Sequence, residues 1–300
     1  MKKLILIITA VLMLLGCEKT TSPERYENEL HFLTGIIKVG EFVNSENPVR
    51  IGTTVSAEEG NVDDLIDPNI TVKLQKIKNG IVETEVDLGY LEESSSFADL
   101  DEMLEIIPNT RYRIIGYFLS GDSIWAETIT PDLIEVVADS LVNDNSAFTG
   151  TVPEDEWAEL VYDEADELHP LQVITQNNNE LYLYNQFYCL ETYDNAKFLN
   201  PGLGDDYPAD EDEYSNAATG YPQRVETFFE YQPTNNLVSM GFYQSNLMFY
   251  GKHEVTVYSI DQNYFRYLYL PEGFNDAGVH NGIGIFGSSC GKKLFTEIVE

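Results

Sequence analysis

From Leu30 onward, apolar and polar residues alternate in short runs, and the runs end at clusters of turn-forming residues. A period of two is the spacing of a strand that buries one face. "LHFLTGIIKVGEF" predicts a first strand, and "PVRIGTTVSAEEG" a second that ends in a turn. The clearest hairpin is "ITVKLQKIKNGIVETEVDLGYL". Val72, Leu74 and Ile77 mark its apolar side, and Asn79-Gly80 suits a two-residue turn whose central residues take positive φ. "RYRIIGYFLSGDSIWAETITPD" predicts another hairpin, turning at Ser120-Gly121-Asp122. Short strands at this spacing predict an immunoglobulin-like or fibronectin-like β-sandwich over 30–135, with helical turns near "VDDLID" and "SFADLDEML". Periodicity is lost over 136–150, which reads as a linker. It returns over 151–300, where "ELYLYNQFYCLETY", "RVETFFEYQP", "KHEVTVYSI" and "YFRYLYL" predict a second β-rich domain. Fourteen of the nineteen tyrosines fall in 181–270, so this half differs from the first in character. The segment "VPEDEWAELVYDEADELHP" between them reads as a short helix or an acidic loop. The expected fold class is all-β, and no repeat of the length a propeller or solenoid needs is present.

The first thirty residues follow a different pattern. Lys2 and Lys3 precede an apolar run, Leu4 to Leu15, interrupted only by Thr9, and the chain then reads Leu14-Leu15-Gly16-Cys17. A run of twelve residues is too short to span a bilayer as a helix, which needs about 20. The order of positive residues, apolar core, small residue and cysteine resembles the bacterial lipobox. That resemblance implies a signal peptide over 1–16, cleavage before Cys17 and lipid on its thiol. Several acyl chains on one cysteine satisfy the rule that stable anchoring takes more than one lipid signal. Residues 17–29, polar and containing Pro23, read as a flexible tether.

Charge narrows the partners. The chain carries 17 basic residues against 51 acidic ones, a formal net charge of −34. Loss of Lys2 and Lys3 with the signal would make the imbalance larger still. Nucleic-acid binding requires clustered Lys and Arg, so that class is set aside. Strong negative charge favours divalent cations and basic partners. An apolar content of 43% and an aromatic content of 12% are those of a chain that folds rather than a disordered one.

With Cys17 assigned to lipid, Cys189 and Cys290 remain. In an oxidising compartment they could form a disulfide closing a loop of about 100 residues, adding roughly 4–5 kcal/mol in the loop-entropy picture. Two separate buried thiols are the alternative. No cysteine–histidine spacing suggests zinc. The segment "GLGDDYPADEDEYSN" gathers Asp205, Asp206, Asp210 and Asp212, which could offer calcium its oxygen ligands or form a solvated acidic loop. It lacks the glycine and terminal glutamate of an EF-hand. The four histidines form no metal-binding pair, no GxSxG elbow occurs, and His280 near Ser288-Ser289 is a poor candidate for a base and nucleophile. In "YFRYLYL" a strand would place Tyr264 and Arg266 on one face, and Phe265, Tyr267 and Tyr269 on the other. Two aromatic faces suit a sheet buried on one side and meeting a partner on the other. Cross-strand packing in the sandwich core is the alternative.

Three stretches carry a resemblance. "GIIKVGEFVNSENPVRIGTTVS" follows soon after the lipobox cysteine, "IIPNTRYRIIGYFLSGDSIWAETITPD" contains a turn, a tyrosine strand, a hairpin and A-x-T-x-x-P, and "SIDQNYFRYLYL" precedes the terminal "HNGIGIFGSS". Together they resemble a family of uncharacterised bacterial outer-membrane lipoproteins, a domain of unknown function associated with TonB-dependent receptors. The resemblance implies an outer-membrane lipoprotein that is an accessory in uptake or surface assembly, and it brings no catalytic residues. The expected function is therefore non-enzymatic: a lipid-anchored protein of the cell envelope that docks on an outer-membrane β-barrel receptor, or captures a glycan or peptide ligand for it. A structural or adhesive surface protein, or a calcium-dependent glycan hydrolase, are the alternatives.

Overall fold

The computed structural model describes residues 30–54, 65–138, 153–161, 171–177, 179–191, 197–199, 224–240, 247, 249–270 and 277–300. The signal segment, Cys17, the tether and the acidic loop with Asp205, Asp206, Asp210 and Asp212 lie outside them.

The described chain is nearly all β. The first half contains β1 (His31–Lys38), β2 (Arg50–Thr53), β3 (Thr71–Lys78), β4 (Ile81–Leu91), β5 (Ser96–Ala98), β6 (Arg111–Tyr117), β7 (Ser123–Ile129) and β8 (Ile134–Ala138). The second contains β9 (Glu159–Val161), β10 (Leu171–Thr175), β11 (Leu181–Cys189), β12 (Arg224–Tyr231), β13 (Leu237–Met240) and β14 (Gly251–Ile260). A helix, α1 (Gln262–Tyr269), then precedes β15 (Val279–His280) and β16 (Ile283–Val299). Both predicted hairpins form. Asn79 and Gly80 take φ of 52° and 77°, as a two-residue turn matched to strand twist requires. Phe118 and Asp122 close the second tip with a backbone bond of 3.0 Å. The irregular step from Leu74 to Ile77 accompanies a register shift between β3 and β4, which leaves Glu83 as the extra residue of a bulge. "SFA" is a strand, β5, rather than a helical turn, and "EDE" at 154–156 is a single 3₁₀ turn leading to β9.

Three sheets result. A six-stranded sheet has the order β15-β7-β6-β3-β4-β5, and a three-stranded sheet the order β13-β10-β8. A seven-stranded sheet runs β12-β11-β14-β16-β1-β2, with β9 also on β16. The long sheet serves two cores. At one end Leu33, Ile37, Ile51 and Phe286 pack with Val72, Leu74 and Ile114 of the six-stranded sheet. At the other, Leu183, Val255, Leu294 and Ile298 pack with Val136, Val173 and Val238 of the three-stranded sheet.

β16 joins the two. Its residues 283–289 run parallel to β1, and residues 289–298 run antiparallel to β14. Residues 277–289, which the sequence pattern places with the second region, therefore complete the first core, and β15 extends the six-stranded sheet by pairing with β7. The close pairing of β1 and β16 constrains side-chain size: Gly284 sits at φ 119°, and a Cβ there would lie 2.0 Å from the carbonyl oxygen of Leu33.

Phe286 is fully buried in the first core, and removal of such a ring costs about 3–5 kcal/mol. Trp125 reports on the first core and Trp157, stacked on Phe295 at 4.7 Å, on the second. In single-tryptophan variants, urea unfolding should give coincident transitions, and Phe286→Ala should lower both midpoints together. Two separated transitions, or a shift confined to the Trp125 signal, would show that β16 does not couple the cores.

Candidate functional site

The last aromatic segment is a helix, not a strand. Asp261, immediately after β14, is its N-cap: Oδ1 accepts from Tyr264 N at 3.1 Å and Oδ2 from Asn263 N at 3.3 Å. The same carboxylate accepts from Ser288 N at 2.9 Å and from the Thr128 hydroxyl at 2.7 Å. Thr128 in turn lies 2.9 Å from the Ser288 hydroxyl, which also reaches the Ile129 carbonyl at 3.3 Å. Asn263 adds two bonds from Nδ2, to the Glu127 and Phe286 carbonyls at 2.8 and 2.9 Å. The start of α1 is thus tied to β7 of one sheet and β16 of another. Gly287 leaves room for the approach, since a Cβ there would meet Tyr264 Cβ at 2.8 Å.

The helix changes where the candidate interface residues point. Two residues apart on a helix face about 200° apart, so Tyr267 and Tyr269 do not share a face as they would on a strand. Tyr264 lies over Tyr184 of β11, with ring centroids 6.4 Å apart. Phe265 stacks on Tyr182 at 4.5 Å and on Tyr269 at 5.3 Å. The guanidinium of Arg266 opposes the rise that burial gives the Tyr182 phenol. Tyr267 and Tyr269 remain 40% and 63% exposed, next to exposed Leu270.

Beside the helix start lies a cleft of about 250 Å³. Its walls come from the 129–134 segment, the 175–182 turn and the β14–α1 junction. Asp132 accepts from Asn177 Nδ2 at 2.6 Å, and the Tyr182 hydroxyl donates to Glu180 at 3.0 Å. Gln262 and Asn179 add further amides. The cleft offers planar donors and acceptors next to the aromatic stack, chemistry suited to a polar ligand with hydroxyl or amide groups.

Ionisable groups in the packed regions are tuned by burial. Asp261 is pushed up to about 6 by desolvation, against the pull of its four donors. His253, with Nδ1 3.0 Å from the Gly251 carbonyl, is pushed down to about 4. Burial raises the Cys189 thiol to about 12 and the Cys290 thiol in the same direction, so neither supplies a thiolate. The disulfide does not form: both cysteines are free and buried. Cys189 lies opposite His253 and Cys290 opposite Ser259, six residues apart along β14, or about 20 Å at strand rise. His280 stacks on Trp125 at 3.9 Å, while Ser289 is buried between Lys38 and Ile260 in the register, so no base and nucleophile meet there. Among the described residues no group of three or more His, Cys, Asp or Glu is placed to hold a metal, and no helix is long and apolar enough to cross a membrane.

The polar knot around Asp261 and the cleft beside it escape a reading by alternation. The available signals were Asp261 directly before a helix-compatible "QNYF", and the amide-rich "TQNNNE" at 175–180.

No family model matches this chain, and no curated protein matches it.

The Asp261 carboxyl gives a signed pH dependence. Its pKa is raised in the folded state, so its stabilising contribution is complete below about pH 4 and is lost as pH rises through about 6. The shift corresponds to about 3 kcal/mol. Between pH 4 and 6 the stability of the wild type relative to Asp261→Asn should fall by roughly that amount in urea titrations. A difference that stays flat with pH would refute the assignment.

Proposed function

We propose that this is a lipid-anchored binding protein of the bacterial outer membrane, held by Cys17 and acting as a non-enzymatic accessory to a TonB-dependent β-barrel receptor. The observation that carries the binding role is the outer end of α1. There Tyr267, Tyr269 and Leu270 stand exposed on a helix whose other end is fixed by Asp261 and Asn263. Exposed aromatic side chains on a rigid support lose little conformational freedom when a partner covers them, and tyrosine is enriched at the centres of interfaces. The lipobox-like Leu14-Leu15-Gly16-Cys17 supports the address, and the resemblance to receptor-associated lipoproteins supports the partner class. The sandwich is read as immunoglobulin-like in this proposal. Ligand capture belongs to the cleft beside α1, where polar side chains adjoin Tyr182.

Two outcomes are expected. Cys17→Ser should abolish incorporation of labelled palmitate and move the protein out of the membrane fraction. Wild-type protein tagged at its C-terminus and purified from gently solubilised membranes should bring down a stoichiometric β-barrel partner, and Tyr267→Ala with Tyr269→Ala should lower its recovery at least about tenfold. Recovery of the lipidated protein alone would sink the receptor reading. A Cys17→Ser protein that stays membrane-bound would sink the anchor.

A further inference from the structure

The cleft beside α1 continues past its own rim. A second hollow, of about 700 Å³, opens between the tip of the β3–β4 hairpin and the segment 107–111. The two share Asn109 and Ile129 in their walls, so they form one groove from the Asn79-Gly80 turn to the first residue of α1.

The two ends differ in chemistry. At the hairpin end Lys76, Lys78 and Arg111 line the wall. Glu83, the extra residue of the bulge, answers both lysines, at 2.9 and 3.5 Å. Arg111 shares Glu127 with Arg113. On each face of the sheet two cations thus share one carboxylate, Lys76 and Lys78 on the face of Leu74 and Arg111 and Arg113 on the other. Lys78 and Arg111 both reach the hollow at the sheet's end, in a chain of net charge −34. Lys78 and Arg111 are 69% and 50% exposed at the side chain, so their charged ends are free to take a further anion. At the α1 end, Asp132, Asn177 and Glu180 present carboxylate and amide groups that can each hold a hydroxyl. Ile129, half exposed, forms an apolar step between the two.

We propose that this groove binds an acidic oligosaccharide. A carboxylate- or sulfate-bearing sugar sits at Lys78 and Arg111, where charge-assisted hydrogen bonds hold it. The hydroxyls of a neighbouring sugar pair with Asp132, Asn177 and Glu180, and a sugar C–H face lies on Ile129. An extended peptide would be held chiefly through its backbone at an open strand edge. The strands that carry the cations of the basic end offer none: β3 is paired with β4 and β6, and β6 with β3 and β7, while the open edge of β4 over 81–88 is on its far side from β3. The inference deepens the ligand-capture half of the proposed function and is independent of receptor docking, because Tyr267 and Tyr269 lie outside both hollows.

The test is calorimetric titration of the full lipidated chain in detergent with tetragalacturonate, maltotetraose and tetraglutamate. Tetragalacturonate should bind, weaken with added salt, and lose at least about tenfold in affinity in Lys78→Glu with Arg111→Glu, a change at exposed side chains. Asn177→Ala with Glu180→Ala should weaken it severalfold. Lys293→Glu, the same kind of charge change on β16, should leave it unchanged. If the double charge reversal lowers the melting temperature, Lys78→Gln serves in its place with the same direction expected. Absence of tetragalacturonate binding overturns the proposal, as does maltotetraose binding equally well. Tetraglutamate binding as tightly as the sugar overturns it in favour of an acidic peptide. Any of these leaves co-purification of a receptor untouched, so the two readings fail separately.

Discussion

One strand holds the molecule together. Residues 283–289 of β16 hydrogen-bond to β1, and residues 289–298 to β14. Phe286 goes into one core, and Leu294 and Ile298 into the other. The chain therefore cannot complete its first core until residues 283–289 are in place. A parallel pair between the first and last described strands is the most non-local contact available, and such contacts carry a large loop-closure cost before they return any stability. The arrangement has a structural benefit. A long strand is stiff along its length, so the elements that hang from its middle have a fixed position relative to both cores.

The element that hangs from the middle is α1. An eight-residue helix has little stability of its own. Here the orphan N–H groups of its first turn are satisfied by Asp261, whose carboxylate is also held by Thr128 and Ser288. Burial makes the charged form costly, and four donors offset much of that cost, a balance that holds only while all of them stay in place. Displacement of β7 or of β16 would remove donors from a buried carboxylate. The polar knot thus makes the position of α1 sensitive to the docking of the two sheets, and α1 forms one end of the groove.

The alternating apolar pattern carried the first hairpins well, because in Val72-Leu74 and Ile114-Gly116 each step of two has a single buried side, and Asn79-Gly80 dictates its own turn geometry. The same logic misplaced α1. In "YFRYLYL" every second residue and every third or fourth is apolar, so period alone could not separate strand from helix. The deciding feature, a side chain at Asp261 capping two N–H groups, is chemistry rather than hydropathy. Nor could the pattern show that 277–289 belongs with β1, because parallel pairing across the whole chain leaves no local trace. The cysteines were ambiguous for the same reason: a sequence separation of about 100 residues fits any through-space distance, and only the shared partner strand β14 shows them far apart. The groove fell between these cases. Its amides were visible at 175–180 and its cations on β3 and β6, but their meeting at Asn109 and Ile129 is a product of topology.

Charge bears on what such a groove can hold. A chain with 51 carboxyl groups repels anions at long range, yet at physiological salt that field decays over about 8 Å. Within that distance the local groups decide. Five of the 17 basic residues, Lys73, Lys76, Lys78, Arg111 and Arg113, lie on the neighbouring strands β3 and β6. Exposed ion pairs contribute at most about 1 kcal/mol each to folding, so stability alone gives little reason to gather them there. Lys73 is spent on Glu85 and Asp87, at 2.6 and 3.2 Å. Lys78 and Arg111 share their carboxylates with a second cation and stay largely exposed. The unneutralised positive charge is therefore concentrated at the end of the groove formed by β3 and β6, two strands that are paired on both edges. That placement selects for a ligand whose anionic groups are carried as side groups rather than on a strand backbone.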